Sequence, residues 1–342
     1  MAAKQTFPFV RTLICLHAVL MLSWLPVHGQ QTVLYRDPGR DYFELVKEFD
    51  EGLFSRCILS AQRYAETYHE VEFEPFRIEA ELLALKAALL IGQPGAINSI
   101  FAFAEVNTPD PLAEQAVLLI GEDAYAKRDY ENAIKYLSMV NGDYLPAEDQ
   151  SALNFKLGYV LFVRKEFDRA AEYFSKGRDN RDKYYYPANY YYGMTQYFKG
   201  NFPEAVRSFE RVAPSSYYKD YIPYYITQIY FSTGEYAKVI GYGNQALNNP
   251  SVLNKTEIRQ LVGQAYFESG DYAAAIPHLE YVEKQSAKLR TDDFYQLGMA
   301  YYHTGRYADA IPVLGQIRNE TGIKAHYANY YLGQCYLKTG DK

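Results

Sequence analysis

Two markers recur together through this chain with a period near 35 residues, and that regularity limits the possible folds more than any other feature. The first is a glycine behind a larger, mostly aliphatic residue: Ile120-Gly121, Leu157-Gly158, Tyr192-Gly193, Val262-Gly263, Leu297-Gly298 and Leu332-Gly333. With Thr227 standing between the third and fourth, the intervals are 37, 35, 34, 36, 35 and 35 residues. The second marker is an aromatic residue followed three positions later by Ala: Tyr130/Ala133, Phe167/Ala170, Phe202/Ala205, Tyr272/Ala275 and Tyr307/Ala310, with Tyr236/Val239 in the gap. Its intervals, 37, 35, 34, 36 and 35, equal those of the first over their shared span. At 342 residues the chain exceeds one ordinary compact core, so stacked repeats are the expected solution.

Each unit reads as two helices. The first carries its apolar residue, Gly and aromatic on one stripe, as in Leu297-Gly298-Met299-Ala300-Tyr301. It ends at a glycine or polar turn such as Gly200-Asn201, Gly234-Glu235, Gly270-Asp271 or Gly305-Arg306. The second helix shows apolar spacing i, i+3, i+7, for example Tyr272, Ala275 and Leu279, which share a face. Small residues are expected where helices cross closely, hence Gly in the first helix and Ala in the second. Pro146, Pro187 and Pro250 read as punctuation between helices. Pro277 and Pro312 conflict with the pattern, since a helix-interior Pro costs roughly 3 kcal/mol; a late helix start or a kink is expected there.

The pattern L-G-x-x-Y, then G-x-Y-x-x-A-x-x-x-F or L, resembles the tetratricopeptide repeat family. The likeness is close over 112–342 and weak over 41–111, where Gly52, Phe54, Cys57 and Ala61 form one degenerate unit and Gly92, Ile97 and Phe101 another. It implies an all-α, right-handed superhelical solenoid of antiparallel helix pairs, with a concave groove lined by the first helices and atypical terminal units. The last unit is incomplete: Lys342 falls where Tyr272 and Tyr307 fall earlier, which predicts a longer array or a further module.

Residues 1–29 read as a secretory signal peptide: Lys4 and Arg11, then an apolar run from Leu13 to Leu25, then Pro26-Val27-His28-Gly29. The run is short of the roughly 20 residues that span a bilayer, although Val27 and His28 make an imperfect cleavage site and leave an uncleaved anchor open. Cys15 sits inside the apolar run and is not a lipidation cysteine. Cleavage before Gln30-Gln31 resembles export signals of the Bacteroidetes, so a periplasmic or envelope location is expected. Residues 30–40 read as a linker. The mature chain, with 33 basic against 41 acidic residues, lacks the basic footprint of a nucleic-acid binder. Cys57 and Cys335 lie far apart in such an array and read as small buried residues.

Tyrosine is abundant, 36 residues beside 19 Phe, and the repeat register says where much of it goes. The resemblance places the residues three before, one after and four after each marker on the inner groove. These are Phe155, Tyr159 and Phe162; Tyr190, Met194 and Tyr197; Tyr224, Gln228 and Phe231; Gln260, Gln264 and Phe267; Tyr295, Met299 and Tyr302. Rigid amphipathic rings are good contact surface, while an aromatic stripe at helical spacing is also ordinary packing. Both readings stand. The Lys and Asn clamp with which some family members hold a chaperone's terminal carboxylate is absent at the matching positions.

No catalytic constellation is visible. Gly241-Tyr242-Gly243-Asn244-Gln245-Ala246 fits G-x-G-x-x-A, but that fingerprint needs a strand before it, and this stretch falls in a second helix. His69, His278, His303 and His326 are scattered, and Asp292-Asp293 read as helix-start residues. Asn254-Lys255-Thr256 and Asn319-Glu320-Thr321 fit glycosylation acceptors, which matter only on a eukaryotic secretory route. The expected function is a non-enzymatic scaffold of the cell envelope, without cofactor or metal, that binds partner proteins or peptide segments. The alternative is a recruiting arm of a larger envelope protein whose enzymatic, glycan-binding or membrane-assembly module lies beyond residue 342.

Overall fold

A computed structural model describes residues 37–286 and 289–340; the segment read as a signal peptide, most of the linker and Lys342 lie outside the described residues. Within them the chain forms seventeen α-helices, two single 3-10 turns and no strand. α1 (Pro38–Asp50) pairs with α2 (Phe54–Thr67), and α3 (Glu74–Leu90) with α4 (Ala96–Asn107). α5 (Pro111–Ala126) and α6 (Tyr130–Leu137), α7 (Ala147–Val163) and α8 (Phe167–Gly177), and α9 (Tyr185–Phe198) and α10 (Phe202–Val212) follow. α11 (Ile222–Ser232) with α12 (Tyr236–Leu247), α13 (Lys255–Glu268) with α14 (Tyr272–Gln285), and α15 (Thr291–His303) with α16 (Tyr307–Gly315) complete the pairs. α17 (Ile323–Thr339) is one more helix of the first type.

Local chemistry sets these boundaries. Every aromatic marker is the first residue of its second helix. Asp110, Asp129 and Asp271 cap α5, α6 and α14 by accepting from backbone N–H groups of Leu112, Asn132 and Ala274 at 2.8, 3.2 and 3.1 Å. First helices end on a left-handed residue, as Gly200 (φ 75°) and Gly305 (φ 77°) do. Arg128 (φ 60°) and Lys165 (φ 63°) occupy the same slot after α5 and α7, where a side chain strains the backbone. Asp293 sits in the first turn of α15 and accepts from the Arg290 N–H at 2.9 Å, the helix-start role its sequence position predicts.

The two markers meet in the pairing of helices. The Ala at the fourth position of α6, α8, α10, α14 and α16 is wholly buried. Four residues later a Leu or Phe lies over the marker glycine of the partner helix: Leu137 on Gly121, Phe174 on Gly158, Phe209 on Gly193, Leu279 on Gly263 and Leu314 on Gly298. A methyl group added at Gly158 or Gly193 would come within 2.8 Å of the ring above it. The α11/α12 pair exchanges the parts. The first helix carries Thr227 and the second carries Gly243, whose missing side chain leaves room for Thr227 and for Val262 of α13. Gly243 therefore serves helix packing and not a nucleotide turn.

Pro277 and Pro312 do not delay their helices, which start at Tyr272 and Tyr307 in register with the rest. Both prolines are exposed, as are Ala273 and Ala308, whose carbonyls they leave unbonded. Water can satisfy carbonyls on that face, which lowers the cost of an interior Pro.

Odd-numbered helices pack closely against their odd-numbered neighbours along the stack, with α9 and α11 meeting mainly through side chains, whereas no two even-numbered helices make a comparable contact. One layer is thus drawn together and the other splayed. The odd-numbered layer is the inner one. Cys57 and Cys335 are free and buried, Cys57 in the place that Ala holds in later second helices. No helix of the described residues is long and apolar enough to cross a membrane.

Candidate functional site

The inner layer carries the aromatic residues that the repeat register singles out, and most of them engage one another. Tyr159 of α7 lies 5.8 Å from Tyr125 of α5 and 5.0 Å from Tyr191 of α9, ring centre to ring centre. Phe155 stacks on Tyr184 at 5.2 Å, and Phe162 meets Tyr191 at 5.3 Å. Tyr190 stacks on Tyr218 at 4.5 Å, and Tyr197 meets Tyr225 of α11 at 5.8 Å. Such offset and edge-on pairs add about 0.5–1.5 kcal/mol each beyond the area they bury. From α5 to α11 they form one connected seam.

Burial pushes the hydroxyls of Tyr125, Tyr190 and Tyr191 far above the usual phenol range, so these groups stay neutral donors. Tyr190 is also hydrogen-bonded to Tyr225. The rings accordingly do two things. Their faces tie successive units together, and the remaining exposed edges of Phe155, Tyr159, Phe162, Tyr190, Tyr197, Tyr224 and Phe231 form a half-buried aromatic surface.

The seam breaks at α13. Gln228 of α11 is half-buried, and Gln260 donates to Asp293 of α15 at 2.7 Å. A second, shorter cluster resumes with Phe267 and Tyr272, then His303 stacked on Tyr272 at 4.3 Å, then Tyr302 and Tyr331 at 4.7 Å. Tyr295 is half-buried beside it.

Met194 and Met299 depart from the expected groove. They are only 7 % and 3 % exposed and belong to the packing between units, which leaves them almost no surface to offer a partner. At these two units the residue after the marker is covered by its surroundings, whereas Tyr159 and Gln228 at the same repeat position stay half-buried. Conversely, the register does not single out Tyr191 and Tyr225, which hold the seam, or Tyr331, which belongs to the second cluster. All three lie two residues before a marker (Gly193, Thr227, Gly333), so the spacing that found the other positions could have found these.

Two openings lie elsewhere, among the first helices of the stack. One of about 530 Å³ lies between α1, α3 and α5, and another of about 450 Å³ between α2, α3 and α4. Among the described residues no three His, Cys, Asp or Glu side chains gather as a metal site.

The tetratricopeptide repeat model matches residues 118–184, 262–318 and 295–342. The unit with the exchanged Thr227 and Gly243 falls between these matches. No curated protein matches the chain. Among solved structures, a chain of the Naa15/Naa10 complex bound to HypK-THB superposes with a TM-score of 0.52 at 10% identity, covering 88% of this chain and 47% of its own length. A chain of the APC/C hetero-tetramer Cut9–Hcn1 aligns with a TM-score of 0.38 at 15% identity, over 82% of this chain and 52% of its own. The chain thus spans about half the length of these structures. In its matched segments, its all-helical stack and its glycine-under-knob pairing, the chain is similar to tetratricopeptide repeat proteins.

Proposed function

We propose that this chain is a non-enzymatic protein-interaction scaffold that receives segments of partner proteins on its inner, aromatic layer. Repeats of this kind suggest protein partners, and the observation that carries the finer reading is the connected run of rings from Phe155 to Tyr224, half-buried along the inner helices. Rigid rings with exposed edges lose little side-chain entropy on binding and offer both apolar area and hydroxyl groups. An envelope location rests on the N-terminal segment 1–29, which lies outside the described residues.

Photo-crosslinking residues at Tyr197, Tyr224 and Phe231 test the inner layer against equivalents at Arg207 and Lys238 on outer helices. Discrete protein adducts from the inner positions alone are expected in native envelopes. Adducts only from the outer positions, or from neither, would remove the aromatic-layer reading.

A further inference from the structure

We propose that the opening between α1, α3 and α5 is a docking pocket for an extended apolar peptide segment bearing one lysine or arginine, supplied by another protein. The inference rests on the scaffold reading but places a contact where the aromatic seam does not reach.

The reason for the opening is side-chain size. Leu119 of α5 stands two residues before its marker glycine, where α9 and α11 carry Tyr191 and Tyr225. Rings at that position reach the preceding unit and fill the seam, as Tyr191 does against Tyr159. A leucine is shorter, and the facing residues of α3, Leu82 and Leu83, are also aliphatic. The result is a cavity of about 530 Å³ with half-buried Val46, Leu82, Leu83, Leu112 and Leu119 on its walls. That volume lies within the range of ordinary binding clefts, about 300–1,000 Å³. A helix about 10 Å thick would fit little more than one turn of its length, so an extended segment is the better occupant.

Charge selects what such a segment carries. Glu79, Glu122 and Asp149 line the cavity beside a single lining lysine, Lys86. The Lys86 ammonium sits over the Phe49 ring at 5.1 Å, and Glu79 accepts from the Tyr42 hydroxyl. Glu122 is paired with Lys156. Asp149, at the start of α7, has Gln115 as a hydrogen-bond partner; Glu122 and Glu148 crowd it with like charge, which the nearby Lys156 ammonium offsets in part. Glu148 itself is paired with Lys183 at 2.9 Å. A cation entering along the leucine wall would meet a carboxylate whose neighbours mostly repel its charge, and an anion would meet three carboxylates.

The test uses fluorescently labelled, end-blocked pentapeptides: Leu-Leu-Lys-Leu-Leu and the same sequence with Arg, Met or Glu at the centre. Binding to the full chain is read by anisotropy. The Lys and Arg peptides are expected to bind at least tenfold more tightly than the Met and Glu ones. Asp149→Asn should erase most of that preference, and Leu119→Tyr, which fills the cavity, should abolish binding with the helical circular dichroism unchanged. Leu82→Phe fills the same space should Leu119→Tyr fail to fold. Tyr224→Ala should change nothing here. Equal binding of all four peptides, no binding at millimolar concentration, or binding indifferent to both filled variants overturns the pocket. Loss on Tyr224→Ala alone would transfer the peptide to the aromatic layer, rejecting the pocket while sparing the scaffold reading. Self-association abolished by Leu119→Tyr would assign the opening to a second copy of this chain and reject the present occupant.

Discussion

α15 and α17 are the same kind of helix in two surroundings. α15 lies under α16: Leu314 covers Gly298, and Tyr301 is 6 % exposed. The Tyr301 hydroxyl donates to Glu280 at 2.8 Å, and the Arg306 guanidinium lies over its ring at 4.4 Å. On α17 the equivalent Gly333 meets nothing within 4 Å among the described residues, and Tyr336 is 38 % exposed. Yet Cys335, between them, is as fully buried as its counterpart Ala300. Each first helix therefore has two separable faces. One binds the preceding pair and is complete in α17; the other, which α16 covers in α15, has no covering helix on α17 among the described residues. The marker glycine belongs to the second face.

The largest effect should come from the closed face. Tyr301→Ala removes a buried ring with a hydrogen bond and should cost about 3–5 kcal/mol, whereas Tyr336→Ala should cost about 1 kcal/mol or less. Urea midpoints of the two variants would show the gap, and equal losses would mean the faces are not distinct. The glycines offer a difference of sign. Gly298→Ala drives a methyl group into Leu314, an overpacking penalty of about 1–3 kcal/mol that exceeds what helix propensity returns. Gly333→Ala meets no atom within 4 Å among the described residues and should stabilise this 342-residue chain by up to about 1 kcal/mol through propensity alone. A destabilised Gly333→Ala would break the comparison.

The exchanged pair sharpens it further. Thr227→Gly leaves two glycines facing each other in α11 and α12, and a loss of about 1–2 kcal/mol is expected from the vacated space. Adding Gly243→Ala to that variant should not recover the loss, because its methyl group runs into Val262 of α13 whatever stands at 227; the overpacking cost should add to the first, read as a further fall in midpoint. The smallest effect concerns the turns: Arg128→Gly and Lys165→Gly each relieve a left-handed residue and should add about 1 kcal/mol, measurable as a small rise in midpoint.

Much of this was legible in the residues. Gly158 and Ala170, thirty-five residues before Gly193 and Ala205, announce a close helix crossing repeated at fixed spacing, and the structure puts Phe174 over one and buries the other completely. The turn glycines and the aromatic that begins each second helix were equally plain, since caps and turns are decided within a few residues of chain. Other features were not legible for a definite reason. Pro277 and Pro312 looked like breaks because their pattern does not show which face is wet. Met194 and Met299 looked like groove residues because spacing gives a direction around one helix without saying how near the next one comes. The cavity left by Leu119 is invisible in α5 alone and appears only when α3 is set beside it.

The amino-acid order by itself determined the helices, their turns, the pairing register and the stacking of one unit on the next, because all of these depend on contacts a few tens of residues apart that recur unit after unit. Only the tertiary structure decided which aromatic edges remain open, where Thr227 and Gly243 trade places, and where the first units part to leave a cavity. Those outcomes turn on how several side-chain volumes from different units share one space, and no single period in the sequence encodes a shared volume.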